Sequence, residues 1–285
     1  MKEQIISRVF DRERALYALS DAEVFGCAFE GEADGESALK ECRGVKVHNC
    51  RFALRYPLWH AKDFSLCDCH MTDTCRAPMW YSSLGTLKHC RIEGVKALRE
   101  CDDVLIDGSV INSAEFGWKC NKVNIRNSSI NSEYLLFDCR EVEINKLKMS
   151  GKYSFQYVDG MTVSDSILNT KDAFWHAKNV TVTDSEINGE YLGWYSEGLT
   201  LINCKISGTQ PLCYCKGLKL VNCEMNGCDL SFEYSDVEAD ITGHVDSVKN
   251  PLSGYIRAGS IGEIITEGSV MESNCKIHIK QGDSK

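Results

Sequence analysis

The sequence has few of the features that divide a chain into domains or direct it to a membrane. Its 285 residues include only four prolines, and no Ser/Gly-rich run marks a linker. The first ten residues, MKEQIISRVF, lack the apolar core of a signal peptide, and no later run is long and apolar enough to span a membrane. We therefore expect a cytoplasmic protein, without membrane contact, that forms one domain over residues 1–285.

An excess of positive charge is also missing. The net charge is −9 with both signs interspersed, which argues against nucleic acid as a partner. No P-loop, dinucleotide-binding glycine motif or nucleophile elbow occurs. The cysteine pairs Cys67/Cys69 and Cys213/Cys215 have no histidine at the spacing of a zinc site. We expect no bound metal and no cofactor.

The sequence does contain a 19-residue repeat. Each repeat starts at an apolar position or a glycine, and only the step from Phe64 to Gly85 is longer, by two residues. The repeats start at Val45, Phe64, Gly85, Val104, Val123, Val142, Met161, Val180, Leu199, Leu218 and Val237. A fixed period of this length indicates the stacked coils of a solenoid.

The pattern within one repeat predicts three strands. In the repeat that starts at Val123, apolar and polar residues alternate through Ile125, and a second short strand surrounds Ile130. The third strand is the longest, from Glu133 to Cys139. Three unequal strands in each repeat predict an all-β fold, a single-stranded right-handed parallel β-helix of about 11–12 coils. The left-handed hexapeptide form needs 18-residue coils of equal strands.

The repeat also predicts how the chain is organised along its length. Residues 1–21 fit a degraded N-terminal capping coil, residues 22–245 form regular coils, and residues 246–285 form an irregular C-terminal cap. Glycine recurs in the turn after the second strand, where we expect positive φ angles. These glycines are Gly94, Gly151, Gly189, Gly208 and Gly227.

The sixteen cysteines fall mainly in two columns of the repeat. The first column holds Cys27, Cys50, Cys69, Cys90, Cys204 and Cys223, and elsewhere Ser109, Ser128, Ser166 and Ser185. The second holds Cys42, Cys101, Cys120, Cys139 and Cys215, and elsewhere Ala61, Ser82, Ala177 and Ser196. Because these columns accept Cys, Ser or Ala, we predict small packing residues and no disulfide framework.

All five tryptophans lie in one column of the third strand. They could form a surface for stacking sugar rings or an aromatic stack in the core. Strand alternation places them on the same face as the small-residue column, which favours burial. The column contains Trp59, Trp80, Trp118, Phe137, Trp175, Trp194 and Phe232.

The opposite face of the third strand is then predicted to be exposed, and it carries two columns of polar and aromatic residues. One column contains Lys119, Asp138, Tyr157, His176 and Tyr195. The other contains Glu115, Tyr134, Tyr153, Asp172 and Tyr191. Between them lie Leu136, Phe155, Phe174 and Gly193. Such a strip is typical of a site for an extended sugar polymer, and the structural alternative is stabilisation by stacked side chains.

The coils resemble those of the right-handed parallel β-helix superfamily that includes pectate lyases and polygalacturonases, over roughly residues 24–264. The Trp-His-Ala-Lys sequences at Trp59 and Trp175 are also similar to a bacterial family of β-helix proteins of uncharacterised function. The resemblance implies the fold. Of the polygalacturonase motifs only fragments occur, such as Asp102-Asp103 and Gly243-His244, in the wrong order and register, so the sugar link rests on analogy.

The first functional hypothesis is a carbohydrate-binding or carbohydrate-active protein, similar to a polysaccharide hydrolase or lyase. His176 is the predicted acid/base, with Asp138 and Asp172 as carboxylate partners. The residues expected to position an oligosaccharide or polysaccharide are Glu115, Lys119, Tyr134, Tyr153, Tyr157, Tyr191 and Tyr195, with Lys119 offsetting substrate charge. The alternative is a non-catalytic scaffold whose strip binds a protein partner.

Overall fold

The computed structural model describes residues 3–31 and 36–280. The chain is all-β, a parallel β-solenoid of about 14 turns of roughly 19 residues, and the described residues contain no helix. It follows that no helix in the described ranges could cross a membrane. The predicted fold class is confirmed, and the number of turns is larger than the 11–12 coils expected from the sequence.

The chain divides into two compact units, Met1–Glu143 and Ile144–Lys285. The strands of the first unit are Glu3–Ile6, Val9–Phe10, Ala22–Phe25, Ala28–Phe29, Arg43–His48, Arg51–Phe52, Lys62–Cys67, His70–Met71, Met79–Trp80, Ser83–Lys88, Arg91–Ile92, Leu98–Arg99, Asp102–Asp107, Val110–Asn112, Glu115–Phe116, Asn121–Arg126 and Ser129–Leu135. The strand Arg140–Asn145 contains the boundary between the units. The strands of the second unit are Lys148–Lys152, Asp159–Ser164, Ile167–Thr170, Lys178–Thr183, Glu186–Asn188, Thr200–Ile202, Lys205–Ser207, Leu218–Asn226, Asp236–Thr242, His244–Lys249, Ser253–Ala258, Ser260–Ile265 and Lys276–Ile279. The single domain over residues 1–285 stays a prediction.

Strand pairing within each unit follows the repeat. In the first unit Val45 is paired with Phe64, and Gly85 is paired with both Phe64 and Val104. The two extra residues before Gly85 therefore leave the register intact. In the second unit Met161 is paired with Val180. The 19-residue spacing in the sequence is thus the spacing of stacked strands.

Both ends of the chain also form parallel pairs. Near the N-terminus Ile5 is paired with Val24, one full repeat later. Near the C-terminus the spacing shortens, because Val237 is paired with Gly254 and Val245 with Ile261. Between residues 246 and 280 the chain therefore continues the parallel stacking, at first with coils shorter than the repeat, and residues 281–285 of the predicted cap lie outside the described residues. The capping role of either end stays a prediction.

The glycines of the repeated turn differ in conformation. Gly189, Gly208 and Gly227 have φ angles of 148°, 123° and 64°, as the sequence predicts. The prediction of a positive φ is wrong at Gly94. A Cβ atom there would lie 1.9 Å from the carbonyl oxygen of Cys75, so glycine is required at this position by close approach of the backbone.

The cysteine prediction is confirmed, because all sixteen cysteines are free and fourteen are buried. The structure adds a reason for the exchange of Cys with Ser. The backbone N–H of Cys90 donates to Ser109 Oγ at 3.0 Å, and that of Ser109 donates to Ser128 Oγ at 3.1 Å. The N–H of Cys27 donates to Cys50 Sγ at 3.2 Å in the same way. This column therefore requires a small side chain that can accept a hydrogen bond from a buried backbone N–H at the bend.

The buried thiols are expected to be unreactive in the folded protein. Burial raises the pKa of Cys42 to about 12 and that of Cys215 to about 11, and the thiolate is the form that attacks. A hydrogen bond from a neighbouring cysteine lowers the pKa of Cys50, Cys90 and Cys223, and these three thiols are protected because burial keeps a reagent from reaching them. Only Cys67 and Cys275 are partly exposed. With an excess of a disulfide reagent at pH 8, no more than these two thiols should react before the protein unfolds. All sixteen should react in concentrated guanidinium chloride, and early reaction of further thiols in the native protein would contradict the burial.

Candidate functional site

The predicted third strand is a turn-rich arc in the second unit. Between the strands Ile167–Thr170 and Lys178–Thr183, the residues Asp172, Phe174 and His176 have φ angles of 53°, 59° and 53°. Side chains alternate between two faces only where the backbone is extended. The alternation of exposed and buried positions that the sequence suggested for this segment is therefore wrong.

The interior of the arc is an aromatic column that the sequence placed on the surface. Phe155 and Phe174 are each 0% exposed, and their ring centroids lie 5.1 Å apart at an angle of 21°. Gly193 is also buried, as is Leu136 in the first unit. The prediction that these positions lie between exposed polar columns is wrong, because the left-handed backbone turns them inward.

Asp172 was predicted on the exposed strip and is 5% exposed. Burial raises the pKa of its carboxyl. Its backbone is held in the arc by two hydrogen bonds, since its N–H donates to Glu190 O at 2.9 Å and Gln156 Nε2 donates to its carbonyl at 3.1 Å. The structure does not bring Asp172 to the surface with His176, and its catalytic role stays a prediction.

The tryptophans are half-buried, in contrast to the predicted core column. Trp175 and Trp194 stack at 5.4 Å with an angle of 4° between their planes. Their Nε1 atoms donate to the carbonyls of Tyr191 and Gln210 at 2.7 Å. Phe232 does not belong to this column, because Tyr214 N donates to Glu233 O and this coil is one residue longer than the repeat. Phe232 continues the buried phenylalanine column instead.

The first unit repeats this arrangement. Trp59 and Trp80 stack at 5.4 Å with an angle of 5°. In the next coil Arg99 takes the tryptophan position, and its guanidinium lies 4.9 Å from the ring of Trp80 and 5.9 Å from that of Trp118. Trp118 Nε1 is a buried donor without a partner among the described residues. Cation–aromatic stacking thus continues the column where an indole is missing.

The second unit carries a stack of five rings, which we call the tyrosine–histidine ladder: Tyr157, His176, Tyr195, Tyr214 and Tyr234. The first three rings are exposed, and the last two are half-buried. His176 lies 5.0 Å from Tyr157 and 5.0 Å from Tyr195, at angles of 12° and 8°. Tyr195 and Tyr214 are 4.8 Å apart, and Tyr214 and Tyr234 are 5.9 Å apart. Tyr157 is 48% exposed and Tyr195 is 43% exposed.

Sequence reasoning missed Tyr214 and Tyr234. Tyr214 follows Tyr195 by one 19-residue repeat, so the period was sufficient to find it. Tyr234 lies one position beyond the next repeat, and this irregular step hides it from a fixed period. The phenol oxygen of Tyr234 accepts a hydrogen bond from Val270 N at 3.1 Å, which occupies the outer tip of the last ring.

The other predicted residues are in separate surroundings. In the first unit Glu115 lies 3.5 Å from Lys96, Tyr134 is edge-on to Trp118, Lys119 is exposed and Asp138 is half-buried. In the second unit Lys152 lies over Tyr153 and Lys171 over Tyr191. The structure therefore brings His176 together with Tyr157 and Tyr195. The catalytic roles of His176 and Asp138 and the ligand-binding roles stay predictions.

Two other observations concern ligand sites. A surface cavity of 540 Å³ is lined by Asp165, Asp184 and Asn203 among others, and no ladder residue lines it. Within the described ranges, no group of three or more His, Cys, Asp or Glu side chains is placed to hold a metal ion.

The fold and the ladder together define a parallel β-solenoid with an exposed aromatic column. The chain belongs to the family described as protein of unknown function DUF3737, whose model matches residues 3–279. No curated protein matches the chain.

Several solved β-helix structures are similar to the chain. PfbA, a surface adhesin of Streptococcus pneumoniae, is 10% identical with a TM-score of 0.44, covering 77% of this chain and 76% of its own. Tailspike protein 3 of bacteriophage CBA120 is 8% identical with a TM-score of 0.45. The match covers 96% of this chain and 56% of the tailspike chain. The A-module of the Azotobacter vinelandii mannuronan C-5 epimerase AlgE4 is 8% identical with a TM-score of 0.31, covering 98% of this chain and 89% of its own. At these identities the similarity concerns the fold.

Proposed function

We propose that the protein binds an extended oligosaccharide or polysaccharide along the tyrosine–histidine ladder. The observation that carries the proposal is the series of rings stacked in register at about one coil spacing, with Tyr157 and Tyr195 exposed. A polymer with regularly repeated hydroxyl groups can contact such a row at successive coils.

The stacking determines how a ligand would make contact. Each internal ring of the ladder has both faces covered by its neighbours, as His176 is by Tyr157 and Tyr195. The ring edges, phenol oxygens and imidazole nitrogens are then the groups that a ligand meets. Tyrosine offers apolar area and a hydrogen-bonding group with few rotatable bonds. Because the stack already orders these side chains, binding loses little further side-chain entropy.

Protein binding is the second candidate function. Tyrosine is also enriched in protein–protein interfaces, so the exposed rings of Tyr157 and Tyr195 are compatible with a protein partner. The enzymatic form of the first hypothesis adds acid/base chemistry by His176 to glycan binding. A binding assay with product analysis separates these three functions.

The central test replaces Tyr195, which stacks between His176 and Tyr214. Tyr195→Phe keeps the stack and removes one hydroxyl, so glycan affinity is expected to fall by about two- to tenfold. Tyr195→Ala removes the ring and is expected to weaken binding by about tenfold or more. Affinities would be measured by isothermal titration calorimetry after a thermal-shift screen of oligosaccharides.

The matched control is Val221→Ser, which changes a residue that is 48% exposed in the same unit but outside the ladder. It should leave glycan affinity unchanged. If neither Tyr195 variant alters binding, or if no glycan binds the parent protein, the proposal is wrong. Cleavage products that disappear in His176→Ala while binding persists would support the enzymatic form.

A further inference from the structure

The charged residues that border the tyrosine–histidine ladder alternate in sign. Two positions after each ring of the ladder, successive coils carry Asp159, Lys178, Glu197, Lys216 and Asp236. The backbones of these residues are neighbours in the stack, since Lys178 is paired with Asp159, and Glu197 bridges to Lys178 and Lys216. The border therefore has one charged group in each coil, and adjacent charges are opposite.

The lysines of this border and the nearby Lys171 are paired with carboxylates. Lys178 Nζ lies 3.4 Å and Lys216 Nζ 3.8 Å from the carboxylate of Glu197. Lys171 Nζ, five residues before His176 in the sequence, lies 2.8 Å from Glu190 Oε2. Asp159 accepts a hydrogen bond from Asn179 Nδ2 at 2.7 Å.

Because the border charges alternate, the electrostatic potential along the ladder has no strong excess of either sign. A site for a polyanion concentrates charges of the opposite sign along a groove. Here each lysine named above has a carboxylate within 4 Å, and opposite charges this close cancel beyond a Debye length of about 8 Å in physiological salt. An acidic sugar polymer would have to displace these carboxylates, and Asp159 and Asp236 would repel it.

We infer that the ligand of the ladder is an uncharged glycan. Sugar hydroxyls donate to the border carboxylates and accept from the lysines, so alternating charges suit a neutral polyol chain. The inference rests on the proposed function, and it names the chemical class of the ligand. It differs from the charged substrate that Lys119 was expected to offset.

The test compares neutral and acidic ligands of equal length on the full chain. A panel of neutral gluco- and xylo-oligosaccharides is titrated beside oligogalacturonate at physiological salt. Neutral ligands are expected to bind at least about tenfold more tightly. Tighter binding of oligogalacturonate would overturn the inference and leave the proposed function standing. If neither class of ligand binds, the inference and the proposed function are both wrong.

A variant that removes one border carboxylate tests whether the alternating charges disfavour acidic ligands. Glu197→Gln leaves Lys178 and Lys216 without their shared carboxylate, so oligogalacturonate should bind about two- to fivefold more tightly at low salt. The matched control, Glu238→Gln, frees Lys219, which is not a border residue, by breaking a 3.7 Å pair in the same unit. The control should show no gain. An equal gain in both variants, or none in Glu197→Gln, would contradict the role of the alternating border.

Discussion

Replacing Phe174 with alanine is expected to lower the free energy of unfolding by about 3–5 kcal/mol. Its side chain is 0% exposed and stacks on Phe155, with 5.1 Å between the ring centroids. Truncation removes buried apolar surface and leaves a cavity that the stacked coils on either side cannot readily fill. The loss would be measured as a shift of the chemical denaturation midpoint followed by circular dichroism.

Phe174→Leu is the matched variant for this prediction. Leu212 occupies the same column two coils later and is also fully buried, so a leucine side chain is compatible with the site. The leucine variant should lose less than about 2 kcal/mol. If Phe174→Ala were as stable as the parent protein, the ring would be exposed, as strand alternation alone predicted, and the description of the arc would be wrong.

The solenoid itself was predictable because its period survives in the sequence. Stacked strands repeat their apolar positions at the coil length, so Val45, Phe64 and Gly85 align in the sequence and are paired in the structure. Cysteine burial was predictable for the same reason, since one column accepted Cys, Ser and Ala. Its hydrogen-bonding role was not, because a backbone N–H leaves no trace in residue type.

The faces of the arc could not be predicted from alternation. That rule assumes an extended backbone, whereas Phe174 and His176 adopt left-handed conformations that sequence patterns do not reveal in residues other than glycine. Three consecutive residues, Asp172, Ala173 and Phe174, are therefore buried, and the next two, Trp175 and His176, both reach solvent. The fixed spacing found the aromatic columns up to Tyr195 but assigned Phe232 to the wrong column, because the coil after Tyr214 is one residue longer. The burial of these columns was predicted wrongly because strand alternation does not apply to the left-handed backbone of the arc.

Replacing Gly189 with alanine is expected to destabilise the second unit by more than about 3 kcal/mol. A Cβ atom at Gly189 would lie 2.1 Å from the carbonyl oxygen of Thr170 in the preceding coil. The glycine also has a φ of 148°, which residues with a side chain rarely adopt. Because the obstacle is backbone, the coils would have to separate locally to accept a methyl group.

The variant Gly227→Ala distinguishes the effect of the glycine φ angle from the effect of the close backbone contact. Gly227 belongs to the same repeated turn and has a positive φ of 64°, but nothing lies within 4 Å of a Cβ built there. This variant should lose only about 1–2 kcal/mol, the cost of a left-handed alanine. A denaturation midpoint for Gly189→Ala equal to that of Gly227→Ala would show that conformation alone requires glycine. A much lower midpoint for Gly189→Ala would show that close approach of successive coils requires it, a requirement that the recurrence of glycine in the sequence does not distinguish from turn geometry.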